Sequence, residues 1–480
     1  MSLDISNEAL DEISSQAAKL VAEYFTHIAE RPVMAPNHAG KTKSLVNVEL
    51  PVEGRPLDQL LDECRTVMDL SRHNGHPRFF GYVASPSTPI GAYADLIASA
   101  LNANITCWRS GPAGTEIEQL VVRWLGSLIR YDENAKGLLT SGGSMANMIA
   151  LLIASRRKNP EASRKGLWNA GPPMTIYASE EVHMSIPKAA DILGFGRDQV
   201  RVVGCDERRR MRVDDLAHSI QTDQSNGFTP ICVVGNAGTT NTGAVDPLSE
   251  IADVAREYDL WFHVDGAYGA PGAMDQSKKD LFAGLERADS VSLDPHKWLY
   301  VPVDAGCLLF RDAAAAAVFT EDAAYIQTHG LADDAAFAYW DYGVELSRRF
   351  RALKVWLTLG YYGARRMAEA VSKDISLAAY MGELVSKADD FELLSPVELS
   401  ICCFRYVPKN THERDLNHLN EQIMAAVQKG GHAYLSNAMV NGKFALRACI
   451  TNFRTTKTDI EQTIEAVREA AKQLGHGLHG

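Results

Sequence analysis

The chain has 480 residues, room for two to four domains and a core that needs no disulfide or metal staple. Apolar residues make up 46% and charged residues 22%, which excludes wholesale disorder and fibrous repeats. With 48 Lys+Arg against 60 Asp+Glu the formal charge is −12, the wrong sign for a surface that neutralises nucleic-acid phosphates.

The eight cysteines lack paired metal-type spacing, which argues against disulfides and structural zinc. The start Met1–Glu8 is acidic and lacks a basic stretch followed by an apolar run, and no segment reaches the ~18 apolar residues of a membrane span. A cytoplasmic protein without metal or membrane partner is expected.

In chain order, Leu10, Ile13, Ala17, Leu20, Val21, Tyr24, Phe25 and Ile28 recur three and four apart and stop before Pro32, predicting an amphipathic helix. A connector over 32–56 leads to a second helix carrying Leu57, Leu60, Leu61, Cys64, Val67 and Met68. Two helices bury little, so residues 1–88 are expected to form an arm that packs on another domain or subunit. Thr115 and Glu118 have the spacing of a capping box ahead of Leu120, Val121, Trp124, Leu125 and Leu128. Apolar runs at 137–140, 175–178, 231–234, 261–264, 290–293 and 307–310, mostly separated by helix-length segments, predict an α/β domain over 89–355 with a mainly parallel sheet. From 356 to 480 the pattern is helix, runs at 401–406 and 444–450, then a last helix: a small α+β domain.

Ligands of such sheets bind beyond the carboxyl ends of the strands. Ser141-Gly142-Gly143-Ser144 follows the first run and opens a helix, which suits a phosphate, or else a plain strand-to-helix turn. The loop 235–243 offers amide and hydroxyl donors, including Thr240. Asp265 ends one buried run and Lys297 follows another; taken alone, the two read as a structural ion pair. A phosphate cradle, a carboxylate and a lysine on one sheet edge are together the parts that pyridoxal 5′-phosphate (PLP) requires, with His183 facing the cofactor ring.

The segments 74–80 (NGHPRFF), 140–147 (TSGGSMAN), 263–269 (HVDGAYG) and 294–298 (DPHKW) resemble the group II PLP-dependent amino-acid decarboxylases. The aromatic-L-amino-acid branch is the most similar, with 235–243 and Trp340-Asp341 resembling bacterial tryptophan decarboxylases. The resemblance implies fold-type I, with a seven-stranded-type sheet flanked by helices, and a homodimer whose N-terminal arms wrap the partner. It implies that Lys297 forms the Schiff base, that Asp265 pairs with the pyridine nitrogen, and that Ala267 and His183 cover the two ring faces. Gly143, Ser144 and His296 would hold the phosphate, and Thr240 would contact the cofactor. It implies decarboxylation of an L-amino acid, expected aromatic, to the amine and CO2.

Counting back from Arg348-Arg349-Phe350-Arg351 places Tyr339, in the stretch 321–343, at the position of the tyrosine that protonates Cα, with Tyr325 and Tyr342 nearby. Phe80, Tyr82 and Trp340 are expected as aromatic walls for the substrate. Two departures bear on substrate choice: Asn104 and Thr106 stand where aromatic enzymes often present an aliphatic and an aromatic side chain, and Asp294 stands where several relatives carry asparagine. Asp294 is therefore expected to turn toward backbone donors. The alternatives are an aromatic aldehyde synthase, a decarboxylase of non-aromatic amino acids, a PLP-binding protein without turnover, and a structural module.

Overall fold

Apolar runs that read as strands buried on both faces do form one sheet. The computed structural model describes residues 3–35, 38–169, 171–320, 337–409 and 411–477. Its strands are, in chain order, β1 (Phe79–Phe80), β2 (Lys136–Thr140), β3 (Met174–Ser179), β4 (Val200–Val203), β5 (Thr229–Asn236), β6 (Trp261–Asp265), β7 (Ser290–Leu293), β8 (Gly306–Phe310), β9 (Phe391–Leu393), β10 (Ile401–Tyr406), β11 (Tyr434–Val440) and β12 (Lys443–Cys449). The large sheet has the order β2-β8-β7-β6-β5-β3-β4. The pairings from β4 through β7 are parallel, and β8 runs antiparallel to both neighbours. This is the α/β architecture of fold-type I.

Register decides what meets at the sheet edge. Asn236 lies beside Asp265, Asp265 beside Ser292, and Leu293 beside Cys307. Because β8 is reversed, β2 points the same way as β7, and its terminal Thr140 pairs with Gly306 at the start of β8. The turns after β2, β3, β5, β6 and β7 therefore open on one edge. Close approach there requires glycine: a Cβ on Gly306 would lie 2.4 Å from the Gly142 backbone, and Gly142 itself has φ +155°.

The small sheet has the order β1-β11-β12-β10-β9. β11 and β12 form a hairpin turned by Asn441-Gly442, both at positive φ, the conformation that matches strand twist. β1 pairs in parallel with β11, so Phe79–Phe80 belongs to this sheet although it precedes residue 88. Helix Ala352–Lys387 runs across the expected 355/356 boundary, with a break at Gly363 (φ 74°), and its buried residues feed the large core through Ile375 and the small one from Leu377 on.

The capping-box reading of Thr115 and Glu118 does not hold. The helix begins at Pro112, and both residues are buried on its inner face. Glu118 instead accepts from Arg348 Nη2 at 2.6 Å and from Leu139 N at 2.8 Å. In the N-terminal arm, helices Asn7–His27 and Leu57–Leu70 bury no residue within the chain, and Leu10, Ile13, Leu60 and Val67 are exposed.

Candidate active site

A cavity of ≈ 270 Å³ opens at the carboxyl edge of the large sheet, and the eight residues expected around a cofactor all line it: Gly143, Ser144, His183, Thr240, Asp265, Ala267, His296 and Lys297. They arrive from five places: Gly143 and Ser144 after β2, His183 after β3, Thr240 after β5, Asp265 and Ala267 at the end of β6, and His296 and Lys297 after β7. Helix Gly143–Lys158 starts on the glycine turn after β2, so its first N–H groups and the Ser144 hydroxyl face the cavity end where an anion would sit. A Cβ on Gly143 would come within 2.8 Å of the Ala267 Cβ, which keeps this cradle pressed against the turn after β6.

Asp265 is held as an ionised acceptor. Asn147 Nδ2 donates to its Oδ2 at 2.8 Å, Ser292 Oγ to its Oδ1 at 3.0 Å, and Ala267 N to Oδ1 at 3.1 Å. Burial alone would raise its pKa, but the neighbouring imidazoles, the Lys297 ammonium and Asn147 outweigh burial and hold it below the usual carboxylate value. His263 is pushed down to about 4 by burial, so it acts on Asp265 as a charge only in acid, and at physiological pH it orients Asn147. Its Nε2 donates to Asn147 Oδ1 at 3.0 Å, which leaves the Asn147 amide to serve Asp265.

Asn147 also donates to Ser185 Oγ at 2.9 Å, and that hydroxyl bonds His183 Nδ1 at 2.8 Å. The Ser185 backbone N–H points at the same Nδ1, 3.3 Å away, so the neutral ring carries its proton on Nε2. Burial lowers the His183 pKa. The sequence pointed to neither Ser185 nor Asn147. The one available signal for Asn147 was a polar side chain one turn into the helix that follows the glycine turn.

Lys297 and Asp265 do not form the ion pair considered from sequence. Lys297 Nζ lies 2.9 Å from Asp294 Oδ2, three residues back on the same turn, and His296 Nε2 lies 3.7 Å from that oxygen. Asp294 thus faces the cavity and its lysine, and not the backbone donors expected for it. Burial would lower the Lys297 pKa, but Asp294 and Asp265 reverse this and keep the amine protonated.

The substrate-side expectations are placed elsewhere. Tyr339 is fully buried beneath the Arg348 guanidinium, 4.1 Å from its ring centroid, with its hydroxyl 3.5 Å from the Thr115 carbonyl, and it does not line the cavity. The count back from Arg348 gave its sequence position but not the direction of its side chain, which the buried Arg348–Glu118 pair draws inward. Tyr342 stacks on Phe310 and Phe337, and Tyr325 lies outside the described residues. Phe80 is fully buried in the small-domain core, where its strand pairs with β11. Tyr82 is half-exposed and meets the Tyr434 hydroxyl at 3.3 Å, and neither it nor Trp340 lines the cavity. Asn104 accepts from Arg348 N at 2.8 Å and lines a separate cavity with Arg349 and Lys354, while Thr106 is buried.

These residues fit PLP: an ionised acid at the depth of the cavity, a lysine at its rim and a glycine cradle at a helix start. Residues 39–407 match the pyridoxal-dependent decarboxylase conserved domain. The chain belongs to the pyridoxal-dependent decarboxylase family. It is 34% identical, over 98% of its length and 97% of the relative's, to an aromatic-L-amino-acid decarboxylase of Bacillus atrophaeus. It is 35% identical to the cysteine sulfinic acid decarboxylase of Mus musculus over 76% of this chain and 74% of that one. Among solved structures, Oryza sativa TDC with PLP and tryptamine superposes with a TM-score of 0.90 at 27% identity, covering 99% of this chain and 100% of the other. The protein is a PLP-dependent amino-acid decarboxylase.

Proposed function

We propose that the substrate is an aromatic L-amino acid and the product its amine. The relative in Bacillus atrophaeus, aligned over nearly the whole chain, supports this reading. PLP supplies an aldehyde for the amine and a protonated ring that accepts the electron pair of the broken Cα–carboxylate bond. Lys297 holds the aldehyde end. Asp265, whose charge is maintained by Asn147 and Ser292, keeps the ring nitrogen protonated, and its contribution grows as negative charge reaches the ring. The Gly142–Ser144 turn and His296 receive the phosphate, and Thr240 and Ala267 close the sides.

His183 Nε2 is the proton-bearing atom offered to the cavity, and we assign it the return of the proton to Cα once CO2 has left. Its ring, braced through Ser185 and Asn147, covers the cofactor, and it gives the proton from its imidazolium form, which burial makes more acidic, and returns to the neutral imidazole. The observation that carries the functional reading is the convergence of Lys297, Asp265 and the glycine cradle on one cavity. The test is CO2 release from tryptophan, phenylalanine, tyrosine, DOPA, glutamate, aspartate, histidine and cysteine sulfinate, with amine and aldehyde both quantified. Turnover confined to the acidic substrates would overturn the aromatic assignment, and aldehyde with ammonia as the main product would make the enzyme an aldehyde synthase.

The reading extends to a cytoplasmic homodimer. The unburied arm supports a partner copy, as do Val46, Val48, Leu50 and Val52, exposed on alternate residues of the connector. The eight cysteines are unpaired, six of them buried, as suits a reducing compartment. Light scattering on the purified protein tests the dimer; a mass of 52.5 kDa at micromolar concentration would contradict it.

A further inference from the structure

The cofactor site contains a charge that works against the cofactor. Asp294 is 1% exposed, and its Oδ2 stands 3.2 Å from where a Cβ on Gly143 would lie, against the turn that receives the phosphate. Its Oδ1 is buried and, among the described residues, accepts no hydrogen bond. Its cationic partner is Lys297, the same amine that the cofactor aldehyde takes. The histidines that could offset a second negative charge, His183 and His296, have pKa values lowered by burial. Lys297 is left to balance Asp265 and Asp294 together. A phosphate monoester brings about −1.5 to −2 more charge at neutral pH.

Resting on the PLP reading above, we infer that Asp294 is an electrostatic counterweight: it holds the Lys297 ammonium in the cofactor-free protein and weakens the grip on the phosphate ester. Cofactor loading then follows cofactor supply and is not permanent. Three consequences are specific to this arrangement. Removing the charge at 294 tightens phosphate-ester binding. Removing Lys297 weakens it, because Asp294 then faces the anion without its partner. Removing both restores it.

The test is a double-mutant cycle read with pyridoxine 5′-phosphate, which has the ring and phosphate but no aldehyde, so that Schiff-base formation does not enter. Its Kd is measured by equilibrium dialysis on the cofactor-stripped full chain as wild type, Asp294→Asn, Lys297→Ala and the double variant. The expected results are binding about tenfold tighter for Asp294→Asn, weaker for Lys297→Ala, and a gain from Asp294→Asn that is larger in the Lys297→Ala background. Equal affinities for wild type and Asp294→Asn, or weaker binding by the latter, would overturn the inference. Should Asp294→Asn not fold, Asp294→Ser carries the same expectation. The PLP reading fails separately, as absence of PLP binding by wild type; that result overturns both, whereas PLP binding with four equal pyridoxine phosphate affinities sinks only the counterweight.

Discussion

Asn147→Ala tests whether the acid beneath the cofactor is tuned by its neighbours. The substitution deletes the 2.8 Å donor to Asp265 Oδ2, the 2.9 Å donor to Ser185 Oγ and the 3.0 Å acceptor for His263 Nε2. A hydrogen bond to a charged group contributes about 1.5–3 kcal/mol, and most of it is asked for as charge develops on the ring, so kcat should fall by roughly 10- to 150-fold. Two buried groups, the His263 N–H and the Ser185 hydroxyl, lose a partner at about 1–3 kcal/mol each, so unfolding should cost about 2–6 kcal/mol less. The pH dependence has a definite sign. Asn147 is among the groups that lower the Asp265 pKa, so its loss raises that pKa and moves the acid limb of kcat to higher pH. Initial-rate CO2 release from pH 5 to 9, with urea unfolding at pH 7.5, measures both effects. A variant within twofold of wild type in kcat, with an unshifted acid limb, would refute the proposed tuning.

Three further outcomes are expected. Asp265→Ala, which removes one member of a buried charged pairing with the cofactor, should cost on the order of 3–5 kcal/mol in transition-state stabilisation, and single-turnover CO2 release should show it; near-normal turnover would dismiss the role. Glu118→Ala strands Arg348, whose side chain is 1% exposed, and should destabilise the fold by about 3–5 kcal/mol in urea, whereas a loss below ~1 kcal/mol would mean that the Ile105 and Leu139 carbonyls suffice. Asp374 is buried under the Trp298 and Tyr300 donors, and burial raises its pKa from 3.8 to about 7. A raised folded-state pKa gives stability that is full below pH ~4 and lost as pH rises through ~7. Asp374→Asn, which keeps an acceptor for both donors, should therefore be more stable than wild type at pH 8, with the gain vanishing near pH 4; a pH-independent difference would contradict this.

The strand ends that carry the chemistry were legible because fully buried parallel strands read as unbroken apolar runs, and a polar residue that ends one is conspicuous. β5, β6 and β7 therefore delivered Asn236, Asp265 and Asp294 to the expected edge. β4 escaped notice because it is an edge strand in which Arg201 reaches to Asp223 and Val202 is exposed, so the apolar run is broken. β11 was hidden for a related reason, since its polar Ser436 and Asn437 and its exposed Met439 interrupt the apolar pattern. Partnerships were harder to read than positions. Glu118 and Arg348 are 230 residues apart, and only the packed helix brings them together. Asp294 and Lys297 are three apart, but the local turn, not their charges, decides that they face each other. Tyr339 was placed by counting back from Arg348, which fixes a position and not a side-chain direction, while Phe80, Tyr82 and Trp340 were chosen by residue type, and nothing in a sequence pattern distinguishes an aromatic wall from an aromatic core.

The central claim is that Lys297 binds the cofactor aldehyde, and borohydride reduction followed by peptide mass spectrometry tests it most directly. Purified holoenzyme should lose its visible absorbance on reduction and yield a pyridoxyl-modified peptide containing residue 297, while Lys297→Ala yields none. A pyridoxyl group on another lysine, or on no peptide, would contradict the account.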